Sequence, residues 1–259
     1  MDNDLIFVVI RHVSKSMENC NEVWKECIKS IRTYYKNKII IIDNNSDLDV
    51  LTNDFIVENC DIINNPHYET RLFSPYYFLL NYDFNKAVIL HDGCIFQKYV
   101  NFFDFEKVKY IWHFNTKIYD DIYLIEQQLN YLTNNSVLYN TFRNKQFIGC
   151  MGCCLAIDKS FLMEMETKFK ISNLNNVINN QEKAIAFERT ISILCFTLYP
   201  NLINNLSYEG EIKDMVWGYI YKHFINKQTI FEITDCQNNT KYNIDITDKS
   251  IIKIFGARK

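Results

Sequence analysis

Glycine and proline are scarce, at six and three residues in a chain of 259, while Asn, Ile, Lys and Tyr abound. This skew follows AT-rich codons and implies an AT-rich genome, as in a giant virus or certain protists. No apolar stretch reaches the roughly 18–20 residues that cross a bilayer. The opening Met1-Asp-Asn-Asp lacks the basic segment that begins a secretory signal, so a reducing, cytoplasmic setting is expected. There is no long basic stripe, and the net charge is −3, which argues against a surface for duplex nucleic acid. A disordered chain is excluded because charged residues make up 23% and aromatics reach 15%. No repeat or clear linker interrupts the sequence. Its length and 48% apolar content suit one α/β domain over 1–259.

The nine cysteines are odd in number. Cys94 and Cys195 lie in apolar runs and read as small core hydrophobes. Cys150-x-x-Cys153-Cys154 has the spacing of half a zinc site. The other half is missing, since Cys20 and Cys27 are separated by six residues and Cys236 is isolated. Core thiols are the better reading.

What is present is a series of short apolar runs that end in polar residues. Leu5–Ile10, Lys38–Ile42 and Ala87–Leu90 read as buried parallel strands, adjacent to one another, with Asp61–Ile63 a shorter one. Helical spacing over Ser16–Tyr35 puts Val23, Cys27, Ile28 and Ile31 on one face, giving a β-α-β unit. Further along, Tyr68–Leu80 is expected as a helix in which Pro75 sets a kink or an early turn, and Lys109–Phe114 as a strand. Phe147–Gly152 is the only paired-glycine loop, and Cys153–Ile157 the strand after it. Asp158 caps a helix over Lys159–Thr167, Asn173–Asn180 is a loop, and Gln181–Leu198 is a long helix stopped by Pro200. The tail from Thr229 is strand-like.

In open parallel sheets ligands bind outside the carboxyl ends of the strands. Three such ends carry polar residues. The first leads into Arg11-His12, the second ends in Asp43-Asn44-Asn45-Ser46, and the third in His91-Asp92-Gly93. A carboxylate such as Asp92 can hold a divalent cation that bridges two phosphates, and Gly93 lets the backbone come close to them. Each feature has a plainer explanation: Asp-Gly is a common turn pair, and Asp43 can serve only as a turn residue. Arg71, before the third strand, can meet a phosphate or be solvated. Trp217 can stack on a sugar ring or anchor the core. Lys253 and Arg258 can close over a diphosphate or form a basic tail.

The order of these parts resembles the GT-A glycosyltransferases, particularly compact viral and bacterial members, over residues 5–225. That resemblance implies one Rossmann-like α/β domain with a mostly parallel central sheet flanked by helices. Its nucleotide-binding half would cover about 1–115 and its acceptor half about 116–259. The implied activity is transfer of a sugar from a nucleotide-diphosphate sugar, UDP first, to a glycan, lipid or protein acceptor. By the resemblance, Val9–His12, including Arg11, meet the base, and Asp43 meets base or ribose. The family's Asp-x-Asp metal motif corresponds to His91-Asp92-Gly93, which keeps one acid. Asp92 would then bind Mn²⁺ or Mg²⁺, with His223 a further ligand, or else a surface histidine. Gly149-Cys-Met-Gly152 corresponds to the acceptor loop, or to a tight turn. Glu188, and Glu182 second, correspond to the catalytic or acceptor-binding acid. A solvated Glu188 paired with Arg189 or Lys183 is the plainer alternative.

Two other classes stand beside this one. A sugar nucleotidyltransferase needs a glycine-rich loop after the first strand, and Arg11-His-Val-Ser-Lys15 has no glycine. A non-catalytic module of the same fold is favoured by the thinned metal motif. Two further expectations are that Asp43→Ala leaves the fold intact, and that Asp92→Asn leaves stability unchanged or slightly raised.

Overall fold

The computed structural model describes residues 5–52, 55–115, 121–212, 220–234, 241–254 and 257–258. Its centre is a six-stranded sheet. The strands are β1 (Leu5–Arg11), β2 (Lys38–Asp43), β3 (Cys60–Asn64), β4 (Lys86–His91), β5 (Val108–Tyr110) and β6 (Leu155–Asp158), in the order β3-β2-β1-β4-β6-β5. β1 runs parallel to both β2 and β4, pairing Ile10 with Ile42 on one side and with His91 on the other. β3 is also parallel to β2, whereas β6 is antiparallel to β4 and β5. The three adjacent buried strands expected from the sequence are therefore found side by side.

The apolar runs are unbroken because both faces of the sheet are covered. Side chains alternate between the faces with period two. Leu5, Phe7, Val9, Ile39, Ile41, Val88 and Leu90 pack with Val23, Trp24, Cys27, Ile28 and Ile31 of α1 (Cys20–Tyr34). Ile6, Val8, Ile40, Ile42, Ala87 and Ile89 pack on the other side with α2 (Ser74–Leu80), α3 (Ile122–Tyr131), α4 (Asn135–Arg143), α5 (Lys159–Phe169) and α6 (Gln181–Leu198). α6 is buried on most of its circumference, from Ala184 to Phe196, as befits a helix in a core. Its bounds match the sequence reading, with Asn180 accepting the Lys183 N–H at 2.9 Å as the cap. Asp158 caps α5 in the same way, accepting from Ser160 N at 2.8 Å.

Several expectations are corrected. Residues 68–80 are a 3₁₀ segment Tyr68–Phe73, kinked within itself at Arg71 (φ 39°, ψ −98°), and then α2. Pro75 lies in the first turn of α2, where its missing N–H costs nothing, so the break precedes it. Lys109–Phe114 is two strands. β5 joins the main sheet, and His113–Phe114 pairs instead with Gly149–Cys150. α1 starts four residues later than expected because Met17–Glu18 pairs with Ala257–Arg258. The strand expected at Cys153 begins at Leu155, since Met151–Cys153 forms a 3₁₀ turn with Gly152 at φ 61°. The Asn-rich loop holds a 3₁₀ turn at Ile171–Asn176.

The tail forms a hairpin, Ile230–Thr234 with Lys241–Asp245, and then returns to the sheet. Ile251–Lys253 pairs antiparallel with Cys94–Phe96, just past the end of β4. Among the described residues no helix is long and apolar enough to cross a membrane.

Candidate functional site

The order of the sheet reverses between β1 and β4. From β1 the chain proceeds outward to β2 and β3, then returns to lay β4 on the other side. A crevice at the carboxyl ends is the natural ligand position of such a sheet. Two loops meet across it. The His12 backbone N–H donates to Asp92 Oδ2 at 3.0 Å, and Asp92 N–H donates to Ile10 O at 3.0 Å. The His12 ring is fixed by Nδ1 at 2.8 Å from Asn44 O. Asp92 is half-buried, and burial raises its pKa above 3.8, opposed by the His12 N–H and by the nearby cations Lys253 and Arg11.

Three of the residues expected to face a nucleotide are buried. Val9 is fully enclosed in the core. Arg11 donates from Nε to Asp43 Oδ2 at 2.6 Å, and its guanidinium lies 4.8 Å from the centre of the Trp24 ring. Asp43 also accepts from Ser46 N at 2.9 Å and Ser46 Oγ at 2.7 Å. Ser46 Oγ accepts in turn from Val13 N at 2.9 Å. This network shapes the loop after β2. It adds a stability cost to the expectation that Asp43→Ala leaves the fold intact, because Asp43 neutralises a buried guanidinium. Polar residues at this end with some exposure include His12, Ser14, Asn45, Asn65 and Asp92. Arg71, also half-buried, lies in the segment packed beside this end, where Ser74 Oγ donates to Arg71 O at 2.7 Å.

On the other side of Asp92 the structure gathers residues from distant parts of the chain. Lys253 Nζ lies 2.7 Å from His91 Nδ1. An ammonium only donates, so Nδ1 accepts and the neutral ring carries its proton on Nε2. Nε2 is buried beside the Gly152 backbone and has no hydrogen-bond partner of good geometry among the described residues. Burial and the neighbouring ammonium both hold the His91 pKa well below 6.5. Gly93 is needed because a Cβ there would stand 2.3 Å from Ile254 O. Gly152 is needed twice, for its positive φ and because a Cβ would stand 2.8 Å from His91 Cε1 and 3.3 Å from Lys253 Nζ.

Gly152 N–H donates to Glu188 Oε1 at 2.8 Å, and Arg189 Nη1 donates to Glu188 Oε2 at 2.8 Å. Glu188 is thus a buried acid beside the glycine loop, paired with Arg189 as the plainer reading had it, but not solvated. Its pKa is raised by burial, opposed by Arg189, the Gly152 N–H and Lys253. The Arg189 guanidinium lies 4.3 Å from the centre of the Phe114 ring, and that ring fills the space a Cβ on Gly149 would take. His91, Asp92, Gly93, Gly152, Glu188 and Lys253 therefore form one cluster, which Arg189 joins through Glu188.

The remaining residues lie elsewhere. Glu182 is exposed in the first turn of α6, about 9 Å along the axis from Glu188 at 1.5 Å per residue. His223 accepts from Ile220 N at 3.3 Å and stacks on Phe231 at 5.6 Å, away from the Asp92 contacts. Trp217 and the Arg258 side chain lie outside the described residues. Cys27, Cys94, Cys150, Cys153, Cys154 and Cys195 are buried free thiols, as expected of core cysteines. Burial raises the pKa of Cys27, Cys94, Cys150, Cys153 and Cys195, and for Cys195 to about 12.

The donor set bears on the expected metal. Among the described residues no group of three or more His, Cys, Asp or Glu is placed to hold a metal ion. Asp92 stands as a single carboxylate with one oxygen occupied by the His12 N–H, and its His91 neighbour is turned to Lys253. A cation at Asp92 would therefore need a bound diphosphate and water for most of its ligands.

The fold and site thus define an open α/β protein with a cluster of charged residues at its switch point. No family model matches the chain, and neither does any curated protein. Among solved structures it is similar to core-mannan synthase A from Aspergillus fumigatus in its Mn/GDP form. The identity is 10%, the match covers 75% of this chain and 70% of that one, and the TM-score is 0.44.

Proposed function

We propose that the protein transfers a sugar from a nucleotide-diphosphate sugar to a hydroxyl acceptor. The observation that carries this reading is the convergence of Asp92, Lys253 and Glu188 at the switch point of the sheet, where an α/β protein binds its ligand. The half running to about residue 115 would hold the nucleotide and the remainder the acceptor. The base would lie beside His12 and Asn45, on the loops that the Arg11–Asp43–Ser46 network holds in place. Arg71 and Lys253 would face the phosphates. The Gly149–Gly152 loop would present the acceptor, because its glycines leave room at the backbone.

In the reaction the bond from the anomeric carbon to the diphosphate oxygen breaks and its electron pair leaves with the diphosphate. The acceptor oxygen forms the new bond and releases its proton. Glu188 is the buried carboxylate nearest the acceptor loop, and its raised pKa suits it to receive that proton. A second reading, a nucleotide-sugar-binding module without turnover, is favoured by one observation. Both Glu188 oxygens already accept hydrogen bonds, from Gly152 and Arg189.

Calorimetry of the full chain against UDP, GDP and TDP and their sugars tests the first claim. Binding of at least one is expected, and no binding to any of them would end both readings. Slow hydrolysis of the bound nucleotide sugar would then separate the enzyme from the module.

A further inference from the structure

Glu188 and Arg189 follow one another in α6, and neighbours at i and i+1 on a helix do not face each other. Their contact at 2.8 Å therefore needs a support from outside the helix. Phe114 supplies one, with the Arg189 guanidinium 4.3 Å from the centre of its ring. The ring in turn lies over Gly149, its partner across the short strand pair, where a Cβ would stand 2.2 Å from Phe114 Cζ. The glycine at 149 thus admits Phe114, Phe114 backs Arg189, and Arg189 donates to Glu188 Oε2. The other carboxylate oxygen accepts from Gly152, at the far end of the same loop. Both side chains of the ion pair are only 11% exposed. Glu188 is also faced by Lys253 from the tail strand and by the thiols of Cys150, Cys153 and Cys154.

Resting on the reading of Glu188 as the group that receives the acceptor proton, we propose that Arg189, backed by Phe114 over Gly149, is the positioning residue of that acid. It fixes the carboxylate against the glycine loop and holds it charged where burial alone would make it neutral. An arginine suits both parts of this role, since its planar group stacks on a ring while its edge donates to a carboxylate.

The test is the titration of Glu188 in the full chain, read from its carboxyl band in the infrared and identified by the loss of that band in Glu188→Gln. It requires no nucleotide. Arg189→Met should move the titration up by about 1–3 pH units, the effect of an opposite charge at close range. Arg189→Lys keeps the charge and loses the stack, so its shift should be smaller. Gly149→Ala should shift the titration in the same direction, because a Cβ there displaces Phe114. If Arg189→Met does not fold, Phe114→Leu removes the ring face and reads the same quantity, again with a smaller upward shift. A titration that stays in place in the folded variants overturns the role of Arg189 and leaves the nucleotide-sugar reading intact. The acidic limb of the pH profile for nucleotide-sugar turnover should move up together with the titration, since the ionised form accepts the proton. A profile that stays in place while the titration moves overturns the role in the reaction. A wild type that binds a nucleotide sugar without turnover at any pH overturns it as well, and leaves the binding module.

Discussion

The Arg11–Asp43 pair offers the clearest measurement of what holds the crevice in shape. Both side chains are almost fully enclosed, at 4% and 8% exposure, and their contact is 2.6 Å. Removing one partner of such a pair strands the other charge in a low-dielectric setting, which costs about 3–5 kcal/mol. Asp43→Ala also leaves Ser46 N–H and Oγ–H without their acceptor. In a domain of this size each kcal/mol lowers Tm by roughly 2–4 °C, so the variant should melt on the order of 10 °C below the wild type. Arg11→Met strands the carboxylate instead, but Ser46 still solvates it, so its loss should be smaller. The double variant Arg11→Met/Asp43→Leu removes both charges and should recover much of the deficit. Differential scanning calorimetry at neutral pH measures all three. A drop of less than about 2 °C for Asp43→Ala, below the shift that one kcal/mol produces, would refute the assignment of this pair as a buried anchor.

Other outcomes follow from single contacts. Gly152→Ala meets His91 and Lys253 at a positive φ, whereas Gly210→Ala at φ 86° meets nothing within 4 Å. Urea denaturation should show roughly 1 kcal/mol lost at Gly210, from backbone strain alone, and clearly more at Gly152. Glu209 accepts from Ile251 N at 2.9 Å and Ser250 N at 3.1 Å, so Glu209→Ala should speed amide hydrogen exchange across Ile251–Lys253 before it affects β1 or β4. Burial raises the Glu209 pKa above 4.5, so its charge destabilises the folded state above the folded pKa and has no effect below the unfolded one. Glu209→Gln keeps an acceptor and loses the charge. Its Tm should therefore equal or exceed that of the wild type at pH 7.5, and the difference should vanish below about pH 4. Asp92→Asn should likewise leave Tm unchanged or slightly raised at neutral pH, since burial disfavours its charge.

The sheet was legible because strands covered on both faces must be apolar throughout, which is how Leu5–Ile10, Lys38–Ile42 and Ala87–Leu90 read. α6 was legible because its cap and its stop, Asn180 and Pro200, are local signals. The break at Arg71 was not, since no glycine marks the positive φ and the flanking residues look helical. The site was half legible. Asp92 and Gly152 stand at the ends of elements that the sequence reveals, and Glu188 lies within the long helix it reveals. The pairing of Lys253 with His91 spans 162 positions, and nothing local to either residue announces the other. Lysine among isoleucines in Ile251-Ile-Lys-Ile254 is the one available hint that this charge has a buried partner. Arg11 and Asp43 misled for the opposite reason: polar residues at strand ends look presented to a ligand, and only the three-dimensional register shows them facing each other.

The strand Ile251–Lys253 has a consequence for how the molecule is made. A chain that folds from its N-terminus has every strand of the six-stranded sheet in hand by Asp158, long before Lys253 emerges. The sheet can therefore form without Lys253 in place. That side chain reaches His91 only when a short segment, tied down by the Gly93 and Glu209 contacts, docks across a very large loop. Folding and competence are then separate events. A population with a complete sheet and an undocked strand would pass most tests of foldedness while lacking the contact between Lys253 and His91.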